Sequence, residues 1–266
     1  MKIQDQAGNI LTLSNLPQRI VSLVPSQTEL LFDLGLNEQV VGITKFCIHP
    51  DEWFRSKTRV GGTKQVAVEK LLALQPDLVI ANKEENVKEQ VEAIAAKVPV
   101  WVTDVNTLPE ALQMIRQLGA LTGTAGKAEA IAARVETAFS QLTTTLPPTR
   151  PTACYLIWQD PLMTVGHDTF INAMLDAAGF TNCFAAQNRY PELTETDIRN
   201  AAPDVLLLSS EPFPFGEKHR QYWQEQLPST QVILADGEFF SWYGSRLLQA
   251  PAYFQSLRAA INLPFA

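Results

Sequence analysis

The chain has 266 residues, 46% of them hydrophobic and 18% charged, and its 28 acidic side chains outnumber 21 basic ones to give a formal charge of −7. That balance belongs to an ordinary globular protein of about two domains, and its acidic excess argues against nucleic acid or an anionic membrane as the main partner, because both reward a basic face. No apolar run approaches the ~20 residues needed to cross a bilayer, so no membrane insertion is expected. The opening MKIQDQAGNI has no basic n-region, apolar h-region or lipid-anchor cysteine. The chain is therefore expected to be cytosolic if Met1 is the native start, and exported if a signal has been removed.

Taken in chain order, RIVSLVP (19–25) reads as a buried strand running into Ser26-Gln-Thr-Glu29, a capping-box pattern for a starting helix. LLFDLGL (30–36) closes that helix at Gly35, and Val40–Ile43 is the second strand. Leu78–Ala81, fenced by Pro76-Asp77, is the third strand and Val100–Val102 the fourth. Val87, Val91, Ile94 and Ala95 form one face of the helix between them. Thr107 and Glu110 repeat the capping box before Leu112, Ile115, Leu118 and Leu121. From Ala125 to Leu146 apolar residues step by three or four (Ala128, Ile131, Val135, Phe139, Leu142), which predicts a single helix roughly 30 Å long. A strand at Ala153–Trp158 opens the second half.

The second half repeats the first. QPDLVIANKE (75–84) recurs as APDVLLLSSE (202–211), which places Glu84 and Glu211 at the same offset. LLFDLGL recurs as AMLDAAGF (173–180), ended by Gly179, and VPVWVTD (98–104) as QVILADG (231–237). Three matches in one order predict an α/β protein of two Rossmann-like lobes joined by one long backbone helix. The expected divisions are an N-terminal lobe 1–124, a connecting helix 125–147 and a C-terminal lobe 148–266.

Cys47, Cys154 and Cys183 form no C-x-x-C pair and imply neither a disulfide framework nor a zinc site; Cys154, in ACYLIW, reads as core. His167 precedes a helix start at which Asp168 is expected to cap. G-x-S-x-G, P-loop and dinucleotide signatures are absent, so no catalytic residues are assigned and the protein is expected not to be an enzyme.

RIVSLVPSQTELLFDLGL, VGITKF, VEKLLALQPDLVIA, the single connecting helix and the second copy together resemble the helical-backbone (class III) substrate-binding proteins of ABC importers for cobalamin, haem and ferric siderophores, the cobalamin type above all. The resemblance spans residues 18–260 and implies a small-molecule metal chelate, a corrinoid, haem or ferric siderophore, held in a cleft between two lobes and passed to ABC permease subunits. No intrinsic cofactor is expected, and the protein is expected to be a monomer. The ligand-binding residues are then those following each strand: Ser26, Lys45, Phe46, Asn82 and Glu84 in the first lobe, and Trp158, Asp160, Ser209, Glu211, Phe240, Trp242, Tyr243 and Arg246 toward the chain's end, the aromatics gripping a flat ligand. Asn82 stands where the cobalamin type carries a tryptophan. His49, two residues after Cys47, is a candidate axial ligand for the metal of the chelate. Permease docking falls on Glu69 and, because Thr196 occupies the matching position, on the neighbouring Glu195. Two alternatives stay open: a cytosolic corrinoid- or metallochelate-binding protein without a transporter, and a hydrolase-type enzyme pairing Glu84 with Glu211.

Overall fold

The computed structural model describes residues 1–261, so the last five residues of the expected C-terminal lobe lie outside the described residues. Its elements run β1 Lys2–Gln4, β2 Ile10–Thr12, β3 Ile20–Ser22, α1 Pro25–Asp33, β4 Val40–Ile43, α2 Asp51–Ser56, β5 Thr58–Arg59, α3 Val68–Ala73, β6 Leu78–Asn82, α4 Lys88–Ala95, β7 Val100–Thr103, α5 Leu108–Thr122 and α6 Ala125–Thr145. They continue β8 Thr152–Leu156, β9 Trp158–Gln159, β10 Leu162–Met163, α7 Phe170–Ala177, β11 Thr181–Asn182, β12 Glu192–Leu193, α8 Glu195–Ala201, β13 Val205–Ser209, α9 Glu217–Gln226, β14 Gln231–Ala235, α10 Glu238–Ser241 and α11 Ala250–Ala259, with a 3-10 turn at Ser245–Leu248.

Two compact units result. The first comprises 1–105, 109–134 and 243–246; the second comprises 106–108, 135–242 and, among the described residues, 247–261. The division thus falls within α6, whose apolar stripe Ala128, Ile131, Val135, Phe139 and Leu142 is buried.

In the first unit the parallel sheet has the order β5-β4-β3-β6-β7. The second unit's parallel sheet is β11-β8-β13-β14. Setting β5 aside, both follow one plan, in which the second strand of the sheet in chain order lies outside the first, and the third and fourth follow on the other side. The sequence repeat is a repeat of topology. Strand residues Ile20, Val21, Leu78, Val79 and Ile80 in one unit, and Cys154, Leu156, Leu206 and Leu208 in the other, are fully buried, each large apolar side chain contributing about 1.5–3 kcal/mol.

The recurrent Pro-Asp pair has a physical role. Asp77 accepts the backbone N–H groups of Gln18 and Arg19 at 2.7 and 2.9 Å, just before β3. Asp204 likewise accepts the N–H and hydroxyl of Thr152 at the start of β8, at 2.7 and 2.8 Å. The residue before each pair, Gln75 or Ala202, is left-handed (φ 50° and 42°). Gly35 and Gly179 end α1 and α7 with φ of +85° and +79°, a conformation that suits glycine.

Several local expectations change. Pro25 starts α1 two residues early, so Val24 is the N-cap and Ser26 lies inside the first turn without capping anything. Thr169, not Asp168, caps α7 by accepting the N–H of Asn172; Asp168 instead accepts the N–H of Arg189 at 2.5 Å. The strand expected at Ala153–Trp158 ends at Leu156, and Trp158 belongs to a small antiparallel sheet β12-β10-β9. Ala95 is exposed, leaving Ile94 as the buried anchor of α4.

Candidate functional site

In parallel α/β sheets ligands bind outside the carboxyl ends of strands, at the point where strand order reverses. In the first unit that point lies between β3 and β6, and in the second between β8 and β13.

The first unit presents there the start of α1 and the loops after β4 and β6. Ser26 is 3% exposed and its hydroxyl has no hydrogen-bond partner among the described residues. Lys45 and Phe46 follow β4; Phe46 is 51% exposed, with the Lys45 ammonium 5.0 Å from its ring centre. Between exposed Phe46 and Ile48, Cys47 turns inward. Its sulfur lies 3.1 Å from the Thr28 hydroxyl and 3.2 Å from that of Thr44, and burial pushes its thiol up to about 11. A buried thiol held this way does not supply a thiolate ligand. His49 is half-buried beyond it.

Asn82, expected to touch ligand, is buried and committed to the protein. Its amide donates to the Thr103 carbonyl and hydroxyl, both at 3.1 Å, while its oxygen accepts the N–H groups of Glu84 and Glu85 at 2.8 and 3.0 Å. It shapes the loop after β6, and the half-buried Glu84 is a product of that loop. Tyr243 and Arg246 also belong to this unit. The Tyr243 hydroxyl donates to Glu85 at 3.0 Å. Arg246 forms a bidentate pair with Glu29 at 2.7 and 3.1 Å, so the glutamate read as a capping residue is an ion-pair partner. Burial outweighs the arginine and leaves the Glu29 carboxyl above its ordinary range.

Trp158 and Asp160 are exposed in the second unit, Trp158 by 39% with its indole N–H donating to the Asp160 carbonyl at 3.0 Å. Ser209 is buried and internal: it accepts from the Tyr155 hydroxyl at 3.0 Å and donates to the Glu211 carbonyl at 2.5 Å. The Glu211 carboxylate accepts from the Ser241 hydroxyl and, at 2.9 Å, from the Trp242 indole. Burial foremost holds that carboxyl above its usual range. Gly237 is required beside it, since a β-carbon there would come 2.4 Å from the Ser209 hydroxyl. Phe240 is fully buried against Tyr155 and Phe254, at centroid distances of 5.0 and 4.9 Å. Its ring belongs to the core and has no free face to offer a ligand.

The sequence reading overlooked the loop EPFPFGEKH (211–219). Its Phe213 meets Trp158 edge-on at 5.8 Å, and Phe215 lies 4.8 Å beyond. The signal was present as two phenylalanines among prolines directly after a strand.

Glu69 is exposed in the first turn of α3. Glu195, in the first turn of α8, is bound by Arg199 at 2.7 Å and by the Tyr222 hydroxyl at 2.5 Å. No helix among the described residues is long and apolar enough to cross a membrane.

Two parallel α/β units of one strand plan, with aromatic and polar side chains gathered at the strand ends, define a two-lobe binding-protein fold. The chain matches the family model for periplasmic binding proteins over residues 20–233 and belongs to that family. It is 27% identical to YvrC of Bacillus subtilis, an uncharacterised ABC transporter substrate-binding lipoprotein, over 93% of this chain and 82% of that protein. A vitamin B12-binding protein of Pectobacterium carotovorum is 26% identical over 93% of this chain and 90% of its own length. Among solved structures, the periplasmic haem-binding protein RhuT of Roseiflexus superposes with a TM-score of 0.75 and 26% identity, covering 92% of this chain and 97% of RhuT.

Proposed function

We propose that this protein is the substrate-binding component of an ABC importer, capturing a metal chelate and delivering it to a permease, with a corrinoid as the preferred cargo. The observation that carries the reading is the alignment of almost the whole chain with a vitamin B12-binding protein. The accessible residues at the strand ends support it: Phe46 with Lys45 in one unit, and Trp158 with Asp160 in the other, each set an aromatic face beside polar groups, as ligands with large rings and polar substituents require. Ser26, Glu84, Trp242, Tyr243 and Arg246 stay assigned to the ligand site, the last three through contacts that hold its walls. Glu69 is the docking residue for a permease arginine, with Glu195 in the second unit.

Haem is the second reading, favoured by the likeness to RhuT, and His49 is then the axial ligand. A carrier without a transporter would bind the same ligands and lack the docking function. Titration with cyanocobalamin, cobinamide, haemin and a ferric hydroxamate, followed by tryptophan quenching and the visible spectrum, tests the reading. Saturable binding below about a micromolar, roughly −8 kcal/mol or stronger, is expected for one of them. A spectral shift lost in His49→Ala selects haem, and binding by none of the four overturns the proposal.

A further inference from the structure

The third histidine has a role that the proposed function does not itself require. His219 lies in the first turn of α9, and its Nδ1 accepts the backbone N–H of Gly216 at 2.9 Å, so the ring serves as the helix cap. A ring that accepts at Nδ1 is neutral and carries its proton on Nε2. The same ring packs edge-on against Phe213 and Phe215, both at 5.4 Å, and Phe213 in turn meets exposed Trp158 at 5.8 Å. Phe213 N–H reaches the Ile157 carbonyl at 3.3 Å and Phe215 N–H the Ser209 carbonyl at 3.2 Å. These bonds fix the loop across the ends of β8 and β13, where strand order reverses.

We infer that Trp158 and Phe213 form one aromatic platform for the ring of the bound chelate, and that neutral His219 is the positioning residue that holds it. The inference rests on the proposed function for its ligand and on the loop geometry for its mechanism. Protonation at Nδ1 turns the acceptor into a donor facing a donor, and the cap and the ring packing are lost together. The platform therefore loosens in acid, and the chelate is held less tightly there.

The surroundings set the direction. Burial first, then the Lys218 ammonium on the same helix, holds the imidazole below its ordinary range. Its other charged neighbours on α9, Glu217 and Arg220, pair with each other. The loop packed against the ring contributes Phe213 and Phe215, neither of which titrates.

Cyanocobalamin titrations at about pH 7.5 and about pH 5, bracketing the histidine range, test this in wild type, His219→Gln and His219→Ala. Glutamine keeps an acceptor at the third helical position, the capping-box arrangement. Wild type is expected to bind roughly tenfold more weakly at the lower pH, about the equilibrium effect of one lost cap. Glutamine should bind equally at both, and alanine weakly at both. An equal pH dependence in wild type and the glutamine variant overturns the inference, as does unaltered binding in the alanine variant. Ligand-free emission separates this from failure of the carrier reading. A pH-dependent tryptophan signal lost in both Trp158→Phe and His219→Gln supports the positioning role whether or not cobalamin binds, and its persistence in His219→Gln overturns it.

Discussion

Glu29 and Arg246, on α1 and in the 3-10 turn near the chain's end, meet in a two-pronged ion pair with side chains only 16% and 12% exposed. Breaking such a pair strands a buried charge, which is more costly than never having had one. Arg246→Ala is expected to lose about 3 kcal/mol of stability in urea denaturation. The double change Glu29→Gln with Arg246→Met should recover most of that loss. A loss below ~1 kcal/mol in the single variant would show the pair to be solvent-screened.

Asp77 and Asp204 predict a matched effect in the two units. Each carboxylate receives two donors from the segment entering the first strand of its sheet. Replacement of either by Ala is expected to cost about 1–3 kcal/mol, the range for charge-assisted bonds, read from denaturation midpoints. An effect confined to one aspartate would contradict their equivalence.

These aspartates also explain what was legible in the sequence. Pro-Asp recurred because one turn was built twice, and Val40–Ile43 was placed without error because it is a short continuous apolar run, buried at three of its four residues, beyond the glycine-ended first helix. Gly35 and Gly179 marked helix ends because a left-handed residue is needed at each. The site was less readable. Ser26-Gln-Thr-Glu29 has the letters of a capping box, but Pro25 moved the helix start and freed Glu29 for a partner 217 positions away. Asn82, Ser209 and Phe240 lie at or near strand ends, yet tertiary contacts turned them inward, which no local pattern records. Phe213 and His219 were missed because their meaning depends on Trp158, from another strand.

Glu211 gives a pH prediction. Burial raises its pKa in the folded chain, so ionising it is harder folded than unfolded, and stability falls as pH rises from its ordinary value near 4.5 through the folded one. Glu211→Gln keeps an acceptor for Ser241 and Trp242 and removes the ionisation. The variant is expected to melt higher than wild type at neutral pH, with the advantage disappearing in acid below the ordinary value. Equal melting temperatures at both ends would contradict the assignment.

Cys47 and Cys154 are buried, and burial raises both thiols, Cys47 to about 11. Cys183 is only half-buried. Brief iodoacetamide treatment of native protein, read by peptide mass spectrometry, is expected to label Cys183 first and leave the other two intact until unfolding. Early labelling of Cys47 would mean that the loop after β4 opens.

Carriage of a metal chelate, a corrinoid before others, is read without any spectroscopic reporter by calorimetry with cyanocobalamin and cobinamide. Saturable binding with a dissociation constant below about a micromolar is expected, weakened at least several-fold in Trp158→Ala and in Phe46→Ala. Heat changes no larger than dilution for both corrinoids, or equal affinity in wild type and both variants, would contradict it.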